Sequence, residues 1–530
     1  MANDTETELP FEPNLDSLSG WLAGLPVTSE RERYVLLFSG LQALNAAELE
    51  PGFHFRALEK IRAPVMQTTR YLTALFQAKP LPLDAGIRKL AKLSVQFQVE
   101  LAQGYYALTQ AKGFGRIFSV EEQGRIFHCA LRAYSQVLLR LAMMYEAAPS
   151  STWLRVSEIY RLAERGNLSR WAAKCSELTH SAPCSVEELY LRILVFRLLA
   201  PCRLGQAEIQ LVFDAVQQHG HLAHLSHNVF EEGKKADFWV DLDASAMPRS
   251  LSRVVGGGEG GDLRYVFLQS LRRMLGALGS APFNKDSGFS ERLSQCLRIR
   301  LGGNLAVAPE KKSISSMVIA GYKHLVEAMT RHETKANFNL QELEEHMLPF
   351  SKIDSSKTSG TFTALPVPVA KKTVQPLLGG ALVKTSGGTL CRVSPADVPG
   401  FYLVEGANLA LPAESLLGVF TDDKLNQFGQ LCPGRAEADA HSYGFELLAS
   451  RVSLVKVFFD ASPKKKYRCF LSSLGKGRFS LITATSLRLR GGDGLAIVGD
   501  DKREERYRVA KMLEKNAEFS QFEIIPETAA

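Results

Sequence analysis

The sequence contains no run of about 18 apolar residues, the length that a membrane-spanning helix needs. Its first eight residues are acidic and polar, the reverse of a secretory signal. Neither sign of charge dominates, because 63 basic and 56 acidic side chains leave a net charge of +7. That excess is too small to favour wrapping of a polyanion. These absences predict a cytoplasmic protein without a membrane span, and they disfavour nucleic acid as a partner.

Metal-ligand spacing is also missing. The eight cysteines are scattered through apolar stretches, which predicts reduced and buried thiols rather than disulfides or zinc knuckles. His224 and His227 are predicted to lie one turn apart on a helix, but no third ligand stands at a suitable spacing. The sequence therefore predicts no metal site.

Catalytic signatures are missing as well. The glycine-rich segment 256–261 lacks the lysine and hydroxyl of a phosphate-binding loop, so it is interpreted as a connector. No GxSxG or HExxH string occurs. An enzyme would have to use Asp241 and Asp243, which alternate with apolar residues along a predicted strand. A non-enzymatic protein without catalytic residues is the prediction.

What is present is a chain of 530 residues, long enough for several domains. Residues 1–14 are predicted to be disordered. Residues 15–148 have apolar side chains at helical spacing and predict a helical domain. Residues 149–305 predict a mostly helical subdomain with one or two strands.

From residue 306 to residue 530 the pattern changes to short strands separated by turns, which predicts an antiparallel barrel. A helix over Tyr322–Arg331 and a mobile loop interrupt this barrel, as an insertion at about 321–378. The predicted fold class is therefore multi-domain α + β, with a helical N-terminal region followed by a C-terminal barrel.

One turn in the barrel region carries a specific resemblance. Cys391–Leu403 contains a strand, the turn Pro395-Ala-Asp-Val-Pro-Gly400 and a second strand, and Lys311-Lys312 precede the first strand of the region. This layout resembles the PilZ family, six-stranded barrels that often bind cyclic di-GMP. In that family an RxxxR string precedes the first strand and a (D/N)xSxxG turn joins the next two. The resemblance implies Lys311, Lys312, Arg392, Asp397 and Gly400 as candidate ligand-binding residues.

The match is degenerate. Gly400 matches the terminal glycine of the family's turn, but Pro395 stands in the Asp/Asn position and Asp397 in the serine position. Lys311 and Lys312 supply point charges where the family has arginine, whose planar fork binds phosphate bidentately. A domain of this kind need not bind the nucleotide, and no other cofactor is predicted.

The whole chain is similar to large proteobacterial proteins that place a PilZ-like barrel after a helical region. This resemblance implies a regulator or scaffold in cyclic di-GMP signalling, linked to motility, pili or biofilm formation. Its partners would be other proteins that bind the helical region. The alternative is an RNA-binding protein that uses the C-terminal barrel and the basic segment Lys464–Arg468.

Overall fold

The structure is a computed structural model. It describes residues 9–77, 79–173, 183–243, 248–251, 261–280, 288–305, 308, 313–332, 388–406, 415–421, 424–432, 435–436, 442–450, 452–475, 477–487, 489–498, 504–516 and 518–527. The predicted mobile loop at 351–378 and most of the glycine-rich segment lie outside these residues. A helical N-terminal region is followed by antiparallel β-barrels, as predicted.

The N-terminal region consists of packed helices that surround α6, which is buried on nearly all sides. The buried residues of this helix include polar and charged ones, among them His128, Arg132 and Arg140. Pro64 lies inside α3 without ending it, and Phe11 of the tail predicted to be disordered is buried against Trp21. The helices are α1 Leu15–Ala23, α2 Glu30–Ala46, α3 Pro51–Phe76, α4 Ala85–Thr109, α5 Phe114–Ile117, α6 Val120–Met143 and α7 Ser150–Arg165.

The middle of the chain has more strands than the one or two predicted, because several are only two residues long and leave no pattern in the sequence. A four-stranded sheet has the order β3-β8-β6-β7. The helices are α8 Val186–Leu198, α9 Gln206–His219, α10 Gln269–Ala277 and α11 Glu291–Arg300. The strands are β1 Ala172–Ala173, β2 Cys184–Ser185, β3 His224–Ser226, β4 Phe230–Glu231, β5 Lys234–Lys235, β6 Phe238–Asp241, β7 Arg249–Ser250, β8 Leu263–Phe267 and β9 Asn304–Leu305.

The C-terminal region forms two closed barrels where the sequence predicted one. The first barrel consists of β10 Ile314–Ala320, β11 Gly388–Pro395, β12 Phe401–Glu405, β13 Leu416–Thr421, β14 Lys424–Cys432 and β16 Ser442–Ala449, and β15 Arg435–Ala436 pairs with β9. Helix α12 Tyr322–His332 follows β10, as predicted. The second barrel consists of β17 Ser453–Phe459, β18 Ser462–Gly475, β19 Arg478–Ala484, β20 Gly494–Val498, β21 Glu504–Lys515 and β22 Phe519–Pro526.

The two barrels share one strand order. Numbered within each barrel, the strands run 1-2-3-6-5-4 around the circle, and every neighbouring pair is antiparallel. The chain passes from one barrel to the other between β16, the last strand of the first barrel, and β17, the first strand of the second.

The barrels pack on each other through apolar side chains on their outer faces. Successive side chains of a strand point to opposite faces. On β18, Cys469 and Leu471 point into the second barrel, whereas Phe470 points out and packs against Phe428 of the first barrel, with ring centroids 5.0 Å apart. Glu518 adds a polar contact, because its carboxylate accepts hydrogen bonds from the backbone N–H of Tyr322 and of Leu416.

Candidate functional site

One short segment of the helical region contacts both barrels. After α8, the chain turns at Ala200, whose φ is +49°, into a single 3-10 turn, Pro201–Arg203. The phenol of Tyr145, at the end of α6, donates a hydrogen bond to the carbonyl of Leu204 at 3.0 Å and fixes the segment. This placement directs Arg203 away from the helices and between the barrels.

Arg203 binds one acidic residue from each barrel. Its guanidinium lies 3.0 Å from a carboxylate oxygen of Glu446 on β16 and 3.2 Å from one of Glu514 on β21. It also donates to the side-chain oxygen of Gln430 on β14. The Arg203 side chain is only 10% exposed. One planar cation can satisfy several acceptors in this way because its N–H groups have a fixed fork geometry.

A second buried arginine strengthens this site from α11. Arg300 donates to Glu446 at 3.1 Å and to the backbone carbonyl of Leu199 at 2.9 Å. Burial alone would raise the pKa of Glu446, but the charges and hydrogen bonds of Arg300 and Arg203 outweigh it and hold that pKa at about 2. Glu446 is therefore ionised at neutral pH. We call Arg203, Arg300, Glu446, Glu514 and Gln430 the ionic junction.

Beside the ionic junction lies an open cleft of about 650 Å³ between the helical region and the second barrel. Arg197, at the end of α8, forms one wall, and it donates to Glu514 at 3.3 Å and to the backbone carbonyl of Lys515 at 2.9 Å. Cys202 also lines the cleft, and burial raises the pKa of its thiol to about 12, so it is protonated at neutral pH. The cleft is built from residues that are far apart in sequence.

The first-barrel residues singled out from the sequence have a different environment. Gly400 ends a tight turn between β11 and β12 with φ +86°, as the turn chemistry predicted. Ala396 and Val398 of this turn are buried against Ile299 and Leu305 of the helical region. The turn is therefore a packing contact between the first barrel and the helical region.

The polar candidates around that turn point outward. Arg392 is exposed on β11, in register with Ser315 and Glu405 on its neighbours, and Asp397 is exposed within the turn. Asp397 and Gly400 thus lie in the turn after β11, whereas Arg392 lies within β11 and pairs with Glu405 at the far end of β12. Lys311 and Lys312 lie outside the described residues, so their relation to these three stays a prediction.

The basic segment proposed for RNA lies at the start of β18. The ammonium groups of Lys465 and Lys466 stand over the rings of Tyr467 and Phe458, at 5.1 and 5.5 Å from their centroids. Arg468 donates to the hydroxyl of Thr330 on α12. Part of this charge is therefore engaged within the protein, and RNA binding by the segment stays a prediction.

The two aspartates considered as catalytic residues, Asp241 and Asp243, do not line the cleft. Asp243 pairs with Arg161, and a carboxylate oxygen of Asp241 accepts the backbone N–H of Asp243.

The histidine prediction was wrong in its geometry, because His224 begins strand β3 rather than lying on a helix. His224 is 3.0 Å from a carboxylate oxygen of Glu231, and His227 is 3.5 Å from one of Glu164. Within the part of the chain that the structure describes, no group of three or more His, Cys, Asp or Glu side chains could hold a metal ion. Among the same residues, no helix is long and apolar enough to cross a membrane.

Sequence reasoning missed the ionic junction. Its one visible signal is charge inside apolar stretches: Arg203 follows Leu198-Leu-Ala-Pro-Cys202, and Glu446 interrupts the strand Tyr443–Ala449. Charged residues are almost never fully buried unless they are paired. The pattern could therefore have suggested buried ion pairs, although not which residues pair.

Comparison with known proteins gives a match to the helical half of the chain. A family model described as the N-terminal domain of the cyclic-di-GMP receptor FimW matches residues 16–231, which is less than half of the chain. The cyclic-di-GMP receptor FimW of Pseudomonas aeruginosa is 29% identical over 177 residues, covering 32% of this chain and 28% of that receptor. The aligned part is thus well under two thirds of the receptor's length. No solved structure matches.

Proposed function

We propose that this chain is a non-enzymatic regulator of cyclic di-GMP signalling that binds the dinucleotide itself. The observation that carries the proposal is the similarity of residues 16–231 to the N-terminal domain of a receptor for that dinucleotide. The similar segment contains Arg197 and Arg203, two of the residues through which the helical region holds the barrels. A regulator of this design would convert ligand binding into a change in how the barrels attach.

The barrels are proposed to be PilZ-like, with degenerate ligand motifs. Six antiparallel strands, closure and the glycine turn at Gly400 support this identity. Within the first barrel, Arg392, Asp397 and Gly400 are the described candidates for ligand contact, and Lys311 and Lys312 are the candidates outside the described residues. The exposure of Arg392 supports its availability for an anion.

The output is proposed to be protein binding by the helical region, in the cytoplasm, in processes such as motility, pilus function or biofilm formation. Val27, Val35 and Leu36 support an interaction surface, because they are exposed near the start of α2. Large apolar side chains close together on a surface often mark contact sites. A scaffold role would need no ligand at all, so ligand binding is the property to test first.

Calorimetric titration of the 530-residue protein with cyclic di-GMP tests the proposal. A Kd tighter than about 10 μM, equivalent to roughly 7 kcal/mol, would support a receptor. Cyclic di-AMP is the matched control, since it has the same backbone and different bases. Absence of binding at a ligand concentration of about 1 mM, where the free energy of binding is only about 4 kcal/mol, would overturn the receptor role and leave the scaffold alternative.

A further inference from the structure

The cleft beside the ionic junction has the size of a small-molecule site. Its volume of about 650 Å³ lies inside the range of roughly 300–1,000 Å³ that ligand pockets occupy. Its walls come from the α6–α7 connection, the Arg197–Cys202 segment, Pro248-Arg249 and the turn between β21 and β22. Sites of this kind commonly lie between domains, where ligand binding can alter domain placement.

The lining combines apolar walls with a small number of cations. Leu141, Phe196 and Met512 supply apolar surface, and Trp153 adds an aromatic ring. Arg197, Arg249 and Lys515 stand against two carboxylates, Glu146 and Glu514. Since Arg197 and Glu514 already pair, the remaining lining charge is positive.

Arg249 is held in a geometry suited to an anionic or purine ligand. It is exposed, and its guanidinium lies over the ring of Trp239 at 5.4 Å from the centroid. A guanidinium placed over an aromatic ring can still present an N–H edge to an acceptor. Such an edge can bind phosphate, or the O6 and N7 acceptors of guanine, with two parallel hydrogen bonds.

We infer that this cleft, rather than the turn of the first barrel, binds the dinucleotide, a dianion with two purine rings. This inference rests on the proposed function for the identity of the ligand. The apolar walls would bury base faces, and Arg249 and Lys515 would bind phosphate or a guanine edge. The first-barrel turn is the weaker site because Ala396 and Val398 are occupied in packing against the helical region.

The position of the cleft connects binding with the ionic junction. Arg197 and Glu514 line the cleft, and Glu514 is also the residue by which the second barrel binds Arg203. A phosphate close to Arg197 competes with Glu514 for the same guanidinium. Bound ligand therefore weakens the attachment of the β21–β22 hairpin, and a ligand acts on such an equilibrium only through contacts that differ between the two states.

Substitution of exposed arginines tests the inference. The measured quantity is the affinity of the full chain for cyclic di-GMP. Arg249→Ala removes a cleft cation and is expected to weaken binding at least tenfold. Arg506→Ala is the control, because it removes a half-exposed cation outside the cleft, and it is expected to leave the affinity within twofold. Arg392→Ala tests the competing site on the first barrel. The reverse result, with weakening by Arg392→Ala alone, would overturn the cleft assignment while the receptor function survives. If the unaltered protein does not bind, both proposals fail.

Hydrogen exchange on the unaltered protein gives a readout that does not depend on substitutions. Cyclic di-GMP at saturation should change amide exchange by at least threefold in peptides that cover 197–204 and 512–516. Melting curves of Arg249→Ala and Arg392→Ala verify that both variants are folded. A ligand footprint confined to 388–405 would place the site on the first barrel and overturn the inference.

Discussion

The two barrels have the same strand order, yet they attach to the helical region by different chemistry. The first barrel uses an apolar turn, with Ala396 and Val398 packed on Ile299, and a carboxylate, Glu446, held by two arginines. The second barrel uses the end of β21, where Glu514 binds Arg203 and Arg197 and an open cleft remains beside them. One barrel is thus fixed firmly, and the other is attached beside a space that a ligand could fill.

This difference shows why a shared fold does not locate a function. The turn between the second and third strands, which carries ligand contacts in the family that the sequence resembles, has become a packing surface in the first barrel. In the second barrel the equivalent turn has two glycines, Gly475 and Gly477, at φ +80° and +68°. Sites are therefore decided by the environment of each barrel, not by its topology.

The largest effect is expected from Glu446→Gln. This change keeps the side-chain volume, but it leaves Arg300 and Arg203 facing a neutral amide in a buried site. Breaking a buried ion pair from one side costs about 3–5 kcal/mol. Urea unfolding would measure the loss, with Asp460→Asn as control because its pair with Arg506 is 55% exposed on both sides and is worth at most about 1 kcal/mol. Equal losses in the two variants would show that Glu446 is not a buried anchor.

The same carboxylate predicts a specific acid dependence. The pKa of Glu446 is about 2 in the folded protein, below the value near 4.3 of an unfolded glutamate. Its contribution to stability is therefore complete above the unfolded value and is lost as the pH falls toward the folded one. The difference in unfolding free energy between wild type and Glu446→Gln should be constant from pH 7 to about 5.5 and shrink between pH 4.5 and 2. A difference that also shrinks between pH 7 and 5.5 would contradict this account.

The next largest loss of stability is expected from a substitution in the contact between the barrels. Phe470→Ala removes a ring that points out of the second barrel into the first, and deletion of a buried phenylalanine side chain costs about 3–5 kcal/mol. The corresponding change inside the barrel, Phe479→Ala, is the matched control, since Phe479 is equally buried in the second barrel's own core. When unfolding is followed by a probe on each barrel, the single transition should separate into two only in Phe470→Ala. A single transition in both variants would mean that the barrels do not depend on this contact.

The sequence predicted local features better than long-range ones. The helix after β10 and the turn at Gly400 follow from nearest neighbours, and both are present. The second barrel was missed because Phe470 and Ile482 make strands apolar on both faces, so the alternation that separates inside from outside is lost. The ionic junction was missed because Arg203, Glu446 and Glu514 come together only after three domains have packed.

A smaller effect is expected from Gly400→Val. With φ at +86°, the position is strained for a β-branched residue, which predicts a loss of roughly 1–3 kcal/mol. The carbonyl of Gly400 also accepts a hydrogen bond from the backbone N–H of Leu447 at 2.8 Å, so a shift would disturb β16 next to Glu446. Thermal unfolding would measure the loss, with Pro399→Ala as control in the same turn. An unchanged melting temperature in Gly400→Val would mean that the turn tolerates strain.

The smallest effect on stability is expected from Asp397→Ser, which introduces the residue that the PilZ family carries at the corresponding position. Asp397 is exposed, and such surface changes usually stay within about 0.5 kcal/mol. Its effect on signalling distinguishes the two barrels. If the turn of the first barrel serves only as packing, the variant should match wild type both in melting temperature and in a motility or biofilm assay. A stable variant with a strong phenotype would instead show that the exposed side of this turn contacts a ligand or a partner, and that the first barrel is more than an anchor.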